Sequence, residues 1–163
     1  SPDVLDFERL LAAIPGEKPT GADLREAAGA LYYQVKDGRN GARAAERRIE
    51  GGSDESPPDW RPVVTSATKA LAEVSKDLEA TAYLIEALCR TDGFAGVRDG
   101  FRLARGLVEG FWEAGLYPAP DEEGLATTLG PLAGLNGDDA EGTLIAPINR
   151  VAITDSASHG GLS

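Results

Sequence analysis

Apolar side chains recur every three or four positions along most of this 163-residue chain, the spacing of one helical face. Phe7, Leu10, Leu11 and Ile14 form a first stripe behind Pro2 and Asp3, and Pro15-Gly16 ends it. Residues 16–21 hold two glycines and Pro19 and read as an ordered loop. Leu24, Ala28, Leu31, Tyr32 and Val35 predict a second helix, with Asp23 and Glu26 at its positive end, broken or bent at Gly38 and Gly41. Residues 42–50 read as a short polar continuation, and an acidic loop rich in Gly and Pro follows over 51–59.

Asp59 suits an N-cap for a third helix, and Pro62 falls in its first turn, where a missing N–H costs nothing. Trp60, Val63, Val64, Ala67, Leu71 and Val74 are its stripe. Ser75 or Asp77 caps a fourth helix almost at once. Leu78, Ala82, Ile85, Leu88 and Cys89 make its seam, and Tyr83, Leu84 and Ala87 widen it. A helix apolar on more than one side is central, so this one is expected mid-core. Asp92-Gly93 ends it. Phe94, Val97, Phe101, Ala104, Val108 and Phe111 then predict the longest helix, opposite Arg98, Arg102, Arg105, Glu109 and Glu113. Glycines inside a helix cost about 0.5–1 kcal/mol each relative to Ala, so Gly96, Gly100 and Gly106 are read as points of close helix approach. A shorter helix over 122–135 points Leu125, Leu129, Leu132 and Leu135 inward. Leu144, Ile145, Ile148, Val151 and Ile153 form a last helix or extended strip. The sum is an all-α single domain of six or seven helices over residues 1–154, with a long central antiparallel pair, and a Gly/Ser-rich linker or tail over 155–163.

Net charge is −11, from 16 Lys and Arg against 27 Asp and Glu. That balance argues against nucleic acid, which needs clustered cations, and against anionic membrane surfaces. No run reaches the ~18 apolar residues of a membrane span, so direct insertion is not expected. With no Met in the chain and Ser at position 1, a piece of a longer protein is the first expectation, a mature secreted chain the second.

Catalytic chemistry finds little support. The single His, His159, sits in the Gly/Ser tail, where nothing positions a general base. The single Cys, Cys89, lies on an inward seam, where burial makes a thiol inert. Asn136-Gly137-Asp138-Asp139 resembles part of a calcium loop but lacks the remaining ligands. No glycine motif matches a phosphate cradle. No cofactor or metal is expected. A hydrolase using two distant carboxylates is the enzymatic alternative.

Several blocks, in order, resemble one family. They are LDFERLLAAIPGEKPTGADLR (residues 5–25), DWRPVV (59–64), SKDLEATAYLIEALCRTDGFAGVRDGFRLARGLVEGFW (75–112), LYPAPDEE (116–123), PLAGLNG (131–137) and LIAPINRVAIT (144–154). Together they resemble the ImpA-related N-terminal domain that begins TssA-type proteins of bacterial type VI secretion systems. The chain departs from the family pattern in its glycine-rich long helix and in Ala133-Gly134. The resemblance implies a non-enzymatic, cytoplasmic docking part at the inner-membrane face. Full-length relatives couple baseplate and membrane complex to tube and sheath assembly, and carry a separate ring-forming C-terminal region. Others with the same domain cap the distal end of the sheath. The partners are then secretion-machine proteins. The chain itself is expected to be a monomer or weak dimer, within an oligomeric full-length protein.

Two surfaces are candidates for docking. Arg39, Arg43 and Arg47 lie four apart, with Arg48 beside them, and form the one basic cluster; local pairing with Glu46, Glu50 and the acidic loop is the competing explanation. The corner holding Trp112, Tyr117, Pro118 and Asp121 offers a stiff, semi-apolar edge, unless Trp112 and Tyr117 pack beneath the turn.

Overall fold

A computed structural model describes residues 1–153, so the expected tail over 155–163, with His159, lies outside the described residues. The chain is all-α: α1 (Phe7–Leu10), α2 (Leu24–Ala27), α3 (Gly29–Glu50), α4 (Arg61–Glu73), α5 (Leu78–Phe111), α6 (Leu125–Asn136) and α7 (Ile145–Asn149). No strand occurs among the described residues.

Sequence spacing found the helices more reliably than their ends. The first stripe makes only one turn, capped not by Asp3 but by Asp6, whose side chain accepts from the Arg9 N–H. The break in the second element falls at Ala28 (φ −148°, ψ 60°), and α3 then runs unbroken through Gly38 and Gly41. Gly38 marks a crossing instead: a Cβ there would meet Val63 Cγ2 of α4 at 3.3 Å. α3 and α4 are antiparallel, since Glu46 also faces Trp60.

α5 is two helical arms folded back at Gly93, whose φ of 59° and ψ of −137° lie outside the helical region. A residue with a Cβ is strained at such a φ. A Cβ on Gly96 would stand 2.2 Å from the Leu88 carbonyl oxygen, and one on Gly100 would stand 2.7 Å from Ile85 Cγ1. Leu88 facing Gly96 and Ile85 facing Gly100 define an antiparallel register. This hairpin is the expected central pair, and its glycines serve the expected close approach. Gly106 does the same against Leu11.

The first arm, 78–92, is the centre of the molecule, with Leu78, Leu84, Ile85, Ala87 and Leu88 at zero exposure. Each fully buried Leu or Ile contributes roughly 1.5–3 kcal/mol. The main core joins it to Leu10, Leu24, Val35, Trp60, Val63 and Leu71, while a smaller cluster joins Ile85 and Cys89 to Ala104, Leu135 and Leu144. Cys89 is buried, and burial pushes its thiol up.

The second arm, 94–111, keeps part of its expected face: Ala104 and Phe111 are buried, and Val97 and Val108 half-buried. Leu103 and Leu107 are fully buried, whereas Phe94 and Phe101 are exposed. The buried face is rotated toward Leu103 and Leu107, so the Phe94 and Phe101 edge of the stripe is left outside. On α6, Leu135 is buried and Leu132 half-buried, but Leu125 and Leu129 face solvent. Leu144 anchors α7, while Ile153 is exposed.

Candidate docking surface

The residues 75–78, Ser-Lys-Asp-Leu, open the longest family-like block, and their chemistry is architectural. Lys76 is wholly buried. Its ammonium donates to the carbonyls of Leu10 and Leu71, both at 2.8 Å, and sits 5.5 Å from the Phe111 ring centre. These carbonyls belong to the last turns of α1 and α4, which lack helical partners of their own. Burial pushes the Lys76 pKa down to about 8. Asp77 caps α5 through the Ala80 N–H and pairs with Arg25 at 2.8 Å. Burial opposes the Arg25 charge, but Asp77, Glu79 and Asp23 outweigh it and raise its pKa.

The arginine stripe on α3 divides in two. Arg39 grips the buried Glu86 carboxylate with two hydrogen bonds of 3.0 Å, and its guanidinium lies 4.8 Å from the Tyr83 ring centre. Arg43 approaches the same carboxylate at 3.9 Å. Desolvation and the neighbouring Arg39 lower the Arg43 pKa, against the pull of Glu86. Arg48 pairs outward with Glu55 of the acidic loop at 2.7 Å. Arg47 is exposed and makes no ion pair among the described residues. Glu86 was not legible as a partner, because it reaches α3 only through the fold.

One turn further along, Glu46 accepts from the Trp60 indole N–H and from Arg90, whose guanidinium stacks 4.0 Å over the Trp60 ring. Burial alone would raise the Glu46 carboxyl; Arg90 and Trp60 hold it below the usual carboxylate range. Glu46 and Asp92 both line a cleft of about 630 Å³, near Arg150 and α7. Two carboxylates in one cleft invite the hydrolase alternative. Here both Glu46 oxygens are occupied by N–H donors, so this carboxyl is tied down rather than poised to protonate a leaving group. Among the described residues, no group of three His, Cys, Asp or Glu is placed to hold a metal ion, and no helix is long and apolar enough to cross a membrane.

The Trp112 corner also divides. Tyr117 is built into the frame: its N–H donates to the Lys76 carbonyl, its carbonyl accepts from Leu78, and its hydroxyl bonds Gly21 and Lys18. Its peptide bond to Pro118 is cis. The Pro118 carbonyl accepts from the buried Thr128 hydroxyl at 2.7 Å. Asp121 turns the chain into α6, accepting from Thr127 and from the Glu123 N–H. Trp112 does not pack beneath the turn and stands 39% exposed.

Trp112 is not alone. It shares a hollow of about 230 Å³ with Leu125, Pro120 and Thr128. A second hollow, of about 200 Å³, lies between Phe101, Leu132 and Ile148. The second arm of α5 and α6 therefore run antiparallel, with Trp112 opposite Leu125 and Phe101 opposite Leu132. Exposed Phe101, Trp112, Leu125 and Leu129 border the seam. Phe101 and Trp112 are eleven positions apart, about 16 Å of helix. The 12 residues of α6 carry no charge, the one sequence signal that could have marked this face.

Three comparisons meet on this frame. The family model described as ImpA, N-terminal, type VI secretion system, matches residues 11–137, from the end of α1 to the end of α6. This chain belongs to that family. It is 32% identical over 121 residues to the type VI secretion system component TssA1 of Pseudomonas aeruginosa, covering 74% of this chain. The match spans about a third of that relative (33%). The fold is similar to the N-terminal domain, including the conserved ImpA_N region, of the TssA component from Burkholderia cenocepacia. That likeness has a TM-score of 0.62 at 28% identity, over 78% of this chain and 45% of that one. The Ser-Lys-Asp-Leu knot and the α5 hairpin both lie inside the ImpA-matched region.

Proposed function

We propose that this ImpA N-terminal domain is a non-catalytic protein-interaction module of a TssA-like component, working on the cytoplasmic side of the machine. Its task is to help couple baseplate and membrane complex to tube and sheath assembly. The observation that carries this is the unpartnered apolar seam between α5 and α6, on a domain whose buried carboxylates are neutralised by arginines or backbone N–H groups. Apolar surface held open on a small soluble domain marks binding. Residues 1–163 are a monomer or weak dimer, and the full-length protein assembles through other parts. A cap at the distal end of the sheath is a second role for the same domain.

The test is sheath assembly in the host bacterium. Deleting residues 11–137 in frame from the chromosomal gene should abolish fluorescent sheath foci, and the intact gene supplied in trans should restore them. Foci of normal number and length in the deletion strain would exclude the coupling role.

A further inference from the structure

The α5–α6 seam lies in an electrically one-sided part of the chain. Residues 106–149 contain eight acids (Glu109, Glu113, Asp121, Glu122, Glu123, Asp138, Asp139 and Glu141) and no Lys, Arg or His. The other 119 residues hold 19 acids against 16 Lys and Arg and the single His. The acids bracket the seam. Asp121, Glu122 and Glu123 precede α6 at its Trp112 end, and Asp138, Asp139 and Glu141 follow α6 at its Phe101 end, all of them exposed. Three exposed cations stand on the second α5 arm, and each is engaged: Arg105 is held by Glu109 at 2.7 Å. Arg98 and Arg102 are engaged elsewhere, by the carbonyls of Ser1 and Pro2 and by Asp3.

We propose that the seam receives an amphipathic helix from another protein, three turns long, with Lys or Arg at both of its ends. The length follows from the ~16 Å between Phe101 and Trp112, which a helix spans with apolar residues at i, i+4, i+7 and i+11. The two hollows take the outer pair of those side chains, and Leu129 meets the inner pair. Seven of these eight acids, all but Glu109, make no ion pair among the described residues; they attract basic termini and repel acidic ones, which supplies both partner choice and association rate. A second copy of this chain is the wrong occupant, because pairing two such faces brings acid against acid at both ends.

This inference rests on the interaction-module reading, and the test separates the two. The chain has two tryptophans. Trp112 is exposed at the seam, while Trp60 is buried and donates to Glu46. Its two indole N–H signals in a nitrogen–proton correlation spectrum are therefore a reporter and an internal control. The probes are three synthetic helical peptides of about 18 residues, long enough to hold three turns and their flanks. One has Leu at i, i+4, i+7 and i+11 with two Lys at each end, one has Glu in place of those Lys, and one has the Lys ends with the Leu positions scrambled. The Lys-flanked peptide should shift the Trp112 signal and leave Trp60 in place. It should bind at least tenfold tighter than the other two and weaken as salt rises. Leu129→Asp should abolish the shift, although it adds a further negative charge. Three results overturn the proposal: equal binding of Lys- and Glu-flanked peptides, no Trp112 shift with any peptide, or a Trp112 signal that moves with protein concentration alone, which is the signature of a second copy. If any of these occurs while sheath foci still require residues 11–137, the occupant is wrong and the module stands.

Discussion

On the α3 side of α5, Glu86 lies 1% exposed beneath Arg39 and beside Arg43. On the α6 side, Phe101 is 44% exposed and Leu125 50%. Charge is inside on one face and hydrocarbon outside on the other. The buried charges are satisfied: both Glu86 oxygens accept from the Arg39 fork, a geometry that offsets the cost of desolvation. No described residue covers the exposed hydrocarbon. The inverted charges on the first face thus belong to the architecture, and the inverted apolar groups on the second form the surface proposed for a partner. A basic cluster in a sequence is weak evidence for docking when a buried carboxylate lies within reach.

The largest effect should come from breaking the first face. Glu86→Ala leaves Arg39 unpaired beneath Tyr83 and should cost about 3–5 kcal/mol in urea unfolding. A loss near zero would mean that Arg39 swings out to water, and the stripe would again be a free cationic surface. Gly100→Ala should cost about 1–3 kcal/mol, because its new methyl meets Ile85 Cγ1 inside the hairpin. Lys76 gives a pH-dependent term. Between about pH 8 and its ordinary value of 10.5, the folded protein has released a proton that the unfolded chain keeps. Raising pH through that window therefore favours the folded state. The melting temperature of the wild type should rise relative to Lys76→Met from pH 8 to 10.5, and parallel curves would contradict this. The smallest effect belongs to the second face: Leu129→Asp should change stability by less than about 0.5 kcal/mol while removing partner binding.

Sequence periodicity revealed what local chemistry decides. The Asp77 cap, the end of the first α5 arm at Gly93 and the close approaches at Gly96 and Gly100 all follow from neighbours in the chain. What stayed hidden depends on distant residues. Nothing near Arg39 announces Glu86, 47 positions away. Phe101 and Leu103 each fit a helical stripe, and only packing against the first arm makes Leu103 the core residue. Leu125 and Leu129 fit an inward stripe on α6, yet a 12-residue helix packed along one side can bury only part of an uncharged surface. The α2–α3 break at Ala28 has only the adjacent Gly29 to signal it, and the stripe of Leu24, Ala28 and Leu31 runs straight across that glycine.

The most direct measurement of which face docks is amide hydrogen exchange on the full-length protein, alone and bound to the assembled baseplate and sheath components. New protection should appear over residues 101–112 and 125–136, with the α3 segment 39–48 unchanged. Protection confined to 39–48, with the α5–α6 seam exchanging as freely as before, would contradict the assignment of the two faces.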